Sequence, residues 1–248
     1  MPNNYLQYYY HAWSSEIIYF LNQQRSLLAL QKAEKMKKQA FADRYPYGIF
    51  SCIRTMGHIY KSRGNFDLSA QYYQEALDYM LKNMPDQDPS QLYSSLAEYY
   101  RNTQKDYATA LDYCEKALKS AKTERNIAQA MIEKCLVLFR QGRIDEFNDC
   151  YKEAVQMADR CKLSASVSLL IAHISKNILD KQYEQAHAHA DQLSEKGLQQ
   201  HAYIYECAKD YPNAIKYLKK YHQQLDSTNN LLQLSDIAEL NTQIAPNV

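Results

Sequence analysis

The segment HAHADQ holds the densest reactive chemistry in this chain, with His187, His189 and Asp191 inside five residues. Imidazole and carboxylate groups ligate divalent metals and act as general acids and bases, so their spacing decides what they can do. On a helix, His187 and His189 point about 200° apart and cannot hold one ion from a single face. His187 and Asp191, four residues apart, share a face, but two ligands without a third or fourth describe a solvated helix surface better than a metal centre. No cofactor follows from them.

Other chemistries are tested by motif. The sequence contains no GxGxxG, GxxxxGK[ST], GxSxG or HExxH, so it encodes no recognised phosphate cradle, nucleophile elbow or zinc-protease helix. The six cysteines, Cys52, Cys114, Cys135, Cys150, Cys161 and Cys207, form no CxxC pair and read as small buried hydrophobes. The lysine run QKAEKMKKQA at residues 31–40 reads as the solvated side of an amphipathic helix with Ala33, Met36 and Ala40 inward. A net charge of +1 gives no global attraction to nucleic acid. The most apolar window, LSASVSLLIAHI at residues 163–174, is shorter than the roughly 18 residues that span a bilayer, so no membrane insertion is expected of this chain. The opening MPNNYLQYYYHAW has no basic-then-apolar leader pattern. The chain is expected to be non-catalytic.

What recurs is architecture. Five glycines and six prolines in 248 residues suit long helices with few tight hairpins, and 23 tyrosines suggest a repeated packing role for that residue. MGHIYKSRGNFDLSAQYYQEAL (residues 56–77) aligns with LAEYYRNTQKDYATALDYCEKAL (96–118), which is one residue longer in its turn. It aligns also with KCLVLFRQGRIDEFNDCYKEAV (134–155) and HISKNILDKQYEQAHAHADQL (173–193). Each reads as helix, short turn, aromatic or aliphatic residue, helix. The post-turn residues Phe66, Tyr107, Ile144, Tyr183 and Tyr211 are spaced by 41, 37, 39 and 28. Three positions after them stand Ser69, Ala110, Ala186 and Ala214, small enough for helices to cross closely, with Phe147 the exception. Gly57 is expected to permit a close helix approach, and Gly64 to supply a left-handed helix end.

These positions resemble the tetratricopeptide signature W-x2-L-G-x2-Y, A-x3-F, A. The match is carried by Ile53, Met56, Gly57, Tyr60, Ser69, Tyr73 and Ala76, and again by Tyr93, Leu96, Ala97, Tyr100, Ala110, Cys114 and Ala117, with Trp13 at the signature tryptophan place. The resemblance implies an all-α, right-handed solenoid of about six irregular helical hairpins over residues 1–230. A sixth, short hairpin falls at about 198–224, and a separate amphipathic helix and tail at 231–248, with Leu231, Leu234, Ile237, Leu240 and Ile244 on one stripe.

In that family the first helix of each hairpin lines a binding groove. The family register places Arg54, His58, Lys61, Glu98, Arg101 and Asn102 on a polar, mostly basic part, and Ile132, Leu136, Phe139, Ile171 and Ile178 on an apolar part. The expected partner is a protein or peptide with hydrophobic anchors and an acidic end; equally, the C-terminal helix could fill the groove. Arg54 and His58 stand where chaperone-binding relatives carry the Lys and Asn of a carboxylate clamp, so that clamp is not reproduced.

The ending YLKKYHQQLDSTNNLLQLSDIAELNTQI, with the long Tyr-rich repeats, resembles the N-terminal sensor region of Bacteroidetes tetratricopeptide-containing two-component sensor histidine kinases. This implies a longer parent, because the chain itself carries no membrane span, phosphoacceptor histidine box or ATP-binding glycine boxes. In that parent the repeats would lie on the periplasmic side of the inner membrane and could dimerise through the C-terminal helix. The competing expectation is a free-standing cytoplasmic adaptor or assembly factor, or the repeat region of a transcription regulator.

Overall fold

The computed structural model describes residues 2–163, 166–193 and 197–244, with side chains for 5–163, 166–193, 197–231 and 233. The backbone between helices follows one rule. Gln24, Arg44, Gly64, Lys105, Gly142, Lys162, Lys181 and Lys209 all have φ between 50° and 74°, and each stands just past a helix end. The next amide then returns to a carbonyl five residues back: Arg25 to Phe20, Tyr45 to Ala40, Asn65 to Tyr60, Arg143 to Leu138, Leu163 to Ala158, Gln182 to Asn177 and Asp210 to Tyr205. This left-handed cap satisfies carbonyls that a helix end would otherwise leave bare. Most of these places are held by Lys, Arg or Gln, so the geometry is imposed by the helices on both sides and glycine is a convenience.

The helices so delimited are α1 (Pro2–Asn22), α2 (Ser26–Ala42), α3 (Pro46–Ser62), α4 (Phe66–Asn83), α5 (Ser90–Tyr99), α6 (Tyr107–Ser120), α7 (Glu124–Gln141), α8 (Ile144–Arg160), α9 (Val167–Leu179), α10 (Tyr183–Ala190), α11 (Gly197–Cys207) and α12 (Tyr211–Ile244). No strand occurs among the described residues. Phe66, Tyr107, Ile144, Tyr183 and Tyr211, the five expected post-turn residues, each open a helix. Asn65, Asp106, Thr123 and Ser166 cap helix starts by accepting the amides of Leu68, Thr109, Asn126 and Leu169.

The extra residue in the third turn has a structural destination. α5 ends in a π turn (Tyr100–Gln104), and the amide of Asp106 reaches six residues back, to Tyr100, at 3.0 Å. The insertion is absorbed by widening one helical turn, so the next helix keeps its place.

The chain divides into two compact units, residues 1–96 with 228–248, and residues 97–227. In the first, Tyr10, Ile17, Met36, Ile59 and Tyr73 are buried. The α3–α4 crossing is closest at Gly57: an added Cβ would stand 2.6 Å from the Tyr73 ring, and Ser69 Oγ donates to the Gly57 carbonyl at 2.8 Å. In the second, Ile132, Leu136, Leu138, Phe147 and Leu169 share one core, and Leu170, Ile174, Ala186 and Ile204 another. The large Phe147 fills the small-residue place of its hairpin and is fully buried.

Near the C-terminus the backbone departs from expectation. α12 runs unbroken from Tyr211 to Ile244, with Pro212 in its first turn, so no interruption separates the last hairpin from residues 231–244. Proline there loses an amide that would be unbonded in any case. Of the expected stripe, Leu231 is exposed, while the side chains of Leu234, Ile237, Leu240 and Ile244 lie outside those described.

Two glycine substitutions separate the constraints. Gly57→Ala forces the Tyr73 ring to move and should lower stability by about 1–3 kcal/mol. Gly64→Ala meets nothing within 4 Å and should cost about 1 kcal/mol from backbone strain alone. Urea unfolding of the two variants should rank Gly57→Ala as the more damaging.

Candidate functional site

On α3 in the first unit, Phe50, Arg54, His58 and Lys61 recur at helical spacing along one face. The Arg54 guanidinium lies over the Phe50 ring at 5.3 Å, largely buried, and its Nε has no hydrogen-bond partner. Burial alone pulls this guanidinium below its ordinary range. His58 Nδ1 meets the Tyr73 hydroxyl at 3.0 Å, so the tyrosine admitted by Gly57 also orients the histidine. Burial, followed by the charges of Arg54 and Lys61, pushes His58 down to about 4. It is therefore a neutral ring near pH 7.

An open cleft of about 390 Å³ separates α1 from α3, with Ile18 and Leu21 supplying an apolar wall and Asn22, His58, Lys61 and Ser62 a polar one. A cationic group beside apolar surface suits an apolar side chain followed by a carboxylate.

In the second unit, Arg101 sits in the π turn and is only 7% exposed. Its Nε and Nη2 donate to both oxygens of the buried Glu133 on α7 at 2.6 and 3.2 Å, and Nη1 donates to Asn102 at 2.7 Å. Burial disfavours the charge, yet the carboxylate overrides it and holds the guanidinium protonated. Arg101 therefore ties two helices together. Glu98, also on α5, is half-buried, and Asn102 is exposed. Of the five apolar candidates, Ile132 and Leu136 are 1% and 2% exposed and belong to the core. Phe139, Ile171 and Ile178 are half-buried against the same packing.

The histidines of HAHADQ gain partners that sequence spacing did not reveal. His187 Nδ1 lies 2.7 Å from His201 Nδ1 with the rings stacked, and His201 Nε2 lies 3.0 Å from Asp191. Asp191 thus pairs with His201 on α11, and not with His187 four residues before it. His189 stacks on His173, whose Nδ1 meets the Tyr151 hydroxyl at 2.6 Å. Tyr205 and Tyr217 pack against His187 and His201. The cluster links α8 through α12. Burial holds His173, His187 and His189 below the ordinary histidine value. Among the described residues no group of three or more His, Cys, Asp or Glu is placed to hold a metal ion. Nor, among the described residues, is any helix long and apolar enough to cross a membrane.

Comparison with known proteins agrees with the fold. Residues 54–88 match the tetratricopeptide repeat family. A search of curated proteins finds no match. Among solved structures, the Rap conjugation gene regulator of plasmid pLS20, in complex with the Phr* peptide, is similar with a TM-score of 0.73 at 15% identity. The alignment covers 91% of this chain, which spans 64% of the regulator. NprR in complex with its cognate peptide NprX gives a TM-score of 0.57 at 16% identity, covering 97% of this chain and 78% of NprR. PilW, a type IV pilus biogenesis factor, gives 0.56 at 13% identity, covering 90% of this chain and 98% of PilW.

The depressed histidines make stability depend on pH. Below the ordinary value of 6.5 the unfolded chain takes up protons that folded His58 refuses until about pH 4, so stability is present above 6.5 and lost as pH falls through that window. For His58 the loss is on the order of 3 kcal/mol. Urea midpoints measured across the window should fall steeply for the native chain and less steeply for His58→Gln.

Proposed function

We propose that this tetratricopeptide repeat chain is a non-catalytic module that binds a protein or peptide partner, and that in a longer parent it forms the sensory region of a two-component histidine kinase. The observation that carries the binding reading is the α3 face, where the half-buried Arg54 keeps an unbonded Nε and Lys61, further along the same helix, lines a cleft walled by Ile18 and Leu21. A buried donor without a partner is costly, and an arriving carboxylate or carbonyl would relieve it. Two structures of similar fold were determined with peptides bound, which supports the same class of partner here.

The sensory reading rests on the C-terminal resemblance and on α12, a continuous helix of 34 residues. A partner that prefers one arrangement of the repeats over another would bias that helix, and the bias is the signal. A free-standing adaptor or assembly factor is the second reading, supported by the likeness in fold to PilW, a type IV pilus biogenesis factor.

The test uses a library of peptides with hydrophobic anchors and acidic C-terminal ends. Lys61→Glu and Arg54→Gln should each weaken the selected peptide about tenfold or more, and unchanged affinity in both excludes the α3 face. In a parent kinase, deleting residues 231–248 should leave binding intact and abolish the response; a retained response points to the adaptor reading.

A further inference from the structure

Cys135 on α7 and Cys150 on α8 bring their sulfurs to 2.8 Å. A disulfide bond is about 2.05 Å long, so the two thiols need close by less than an ångström to bond. The position follows from the hairpin. Aligning the repeats puts Cys135 where Gly57 and Ala97 stand, at the closest crossing of paired helices, and puts Cys150 where Tyr72 stands. Cys135 lies seven residues before Gly142 and Cys150 eight after it, so each is about two helical turns from the shared bend and both face inward.

The two sulfurs are unequal. Cys135 is fully buried, whereas Cys150 is half-buried and reachable. The Cys150 thiol donates to the Met131 carbonyl at 3.5 Å and accepts from Cys135. That accepted hydrogen bond pushes Cys150 below the usual thiol value against the effect of burial, and Lys134 adds to it. Cys135, as the donor and buried, is pushed up. An accessible sulfur whose pKa is lowered, held against a buried thiol, is the arrangement of an attacking and a resolving cysteine.

We propose that Cys135 and Cys150 form a redox-active pair that closes reversibly into a disulfide joining α7 to α8, with hydrogen peroxide as the oxidant. The Cys150 thiolate attacks one peroxide oxygen, the O–O bond breaks, and hydroxide leaves, giving Cys150 sulfenic acid. Cys135 sulfur then attacks the Cys150 sulfur, the S–O bond breaks, and the departing hydroxide takes the Cys135 proton as water. Two thiols and one peroxide give one disulfide and two waters, the thiols losing the two electrons that peroxide gains. Dithiol reductants reverse the bond by exchange. This inference is independent of the peptide-binding reading, since both sulfurs lie in the α7–α8 hairpin and the α3 face lies in the other unit.

The experiment treats the reduced full chain with stoichiometric hydrogen peroxide, blocks the remaining thiols, and maps peptides without reduction. The expected product links the Cys135 and Cys150 peptides with the loss of two hydrogens, is restored by dithiothreitol, and melts at higher temperature than the reduced chain. Cys135→Ala, which installs the residue found at Ala97, should leave Cys150 as a sulfenic acid trapped by dimedone. Cys150→Ser should leave Cys135 reduced. The proposal is overturned if both thiols remain alkylatable, if Cys161 or Cys207 reacts in their stead, or if Cys150 passes to sulfinic acid with Cys135 untouched.

Discussion

The hydrogen bond from the residue after each left-handed position to a carbonyl five residues back is the constraint on which the rest of this structure depends. It closes one helix and aims the next in a single step, because the carbonyls left bare at a helix end must find donors. Once that return angle is set, the residue three places after the post-turn position, small in all hairpins but that of Phe147, is buried, as at Ser69, Ala110, Ala186 and Ala214. The third turn shows how strong the constraint is. Its additional residue, retained in the chain, becomes a π turn, and the capping bond simply spans one residue more.

Charge is used differently in the two units. Arg101 and Glu133 are buried together with both guanidinium–carboxylate contacts made, so the charges answer each other inside the fold. Losing either partner would strand the other, which makes the pair a structural tie. Arg54 is half-buried over an aromatic ring, with its buried Nε left unused. The same residue type, assigned to the same groove by sequence register, therefore serves cohesion in one place and keeps an unbonded donor in the other. What separates them is whether a neighbouring helix carries a carboxylate at matching height.

The histidine cluster and the cysteine pair share an origin. In each, residues far apart in sequence meet because consecutive helices stack in register: His187 meets His201, His173 meets His189, and Cys135 meets Cys150. Stacking puts like groups face to face at places the repeat makes equivalent or adjacent. Imidazoles in such contact stack ring on ring, and thiols in such contact are poised to bond.

The amino-acid sequence by itself determined the helical class, the hairpin register, the five residues that open second helices, and the roles of Gly57 and Gly64. These are local or periodic properties: turn chemistry, small-residue spacing and apolar periodicity are written within about one repeat. Only the tertiary structure decided which polar side chains are spent inside. Ile132 and Leu136 went to the core, Arg101 went to Glu133, and Asp191 went to His201 instead of its helical neighbour His187. The unbroken course of α12 past residue 230 likewise contradicts no local signal, since the change in pattern there is one of side chains and not of helix-forming ability. Partner choice depends on the height and rotation of the next helix, which sequence spacing along one helix does not contain.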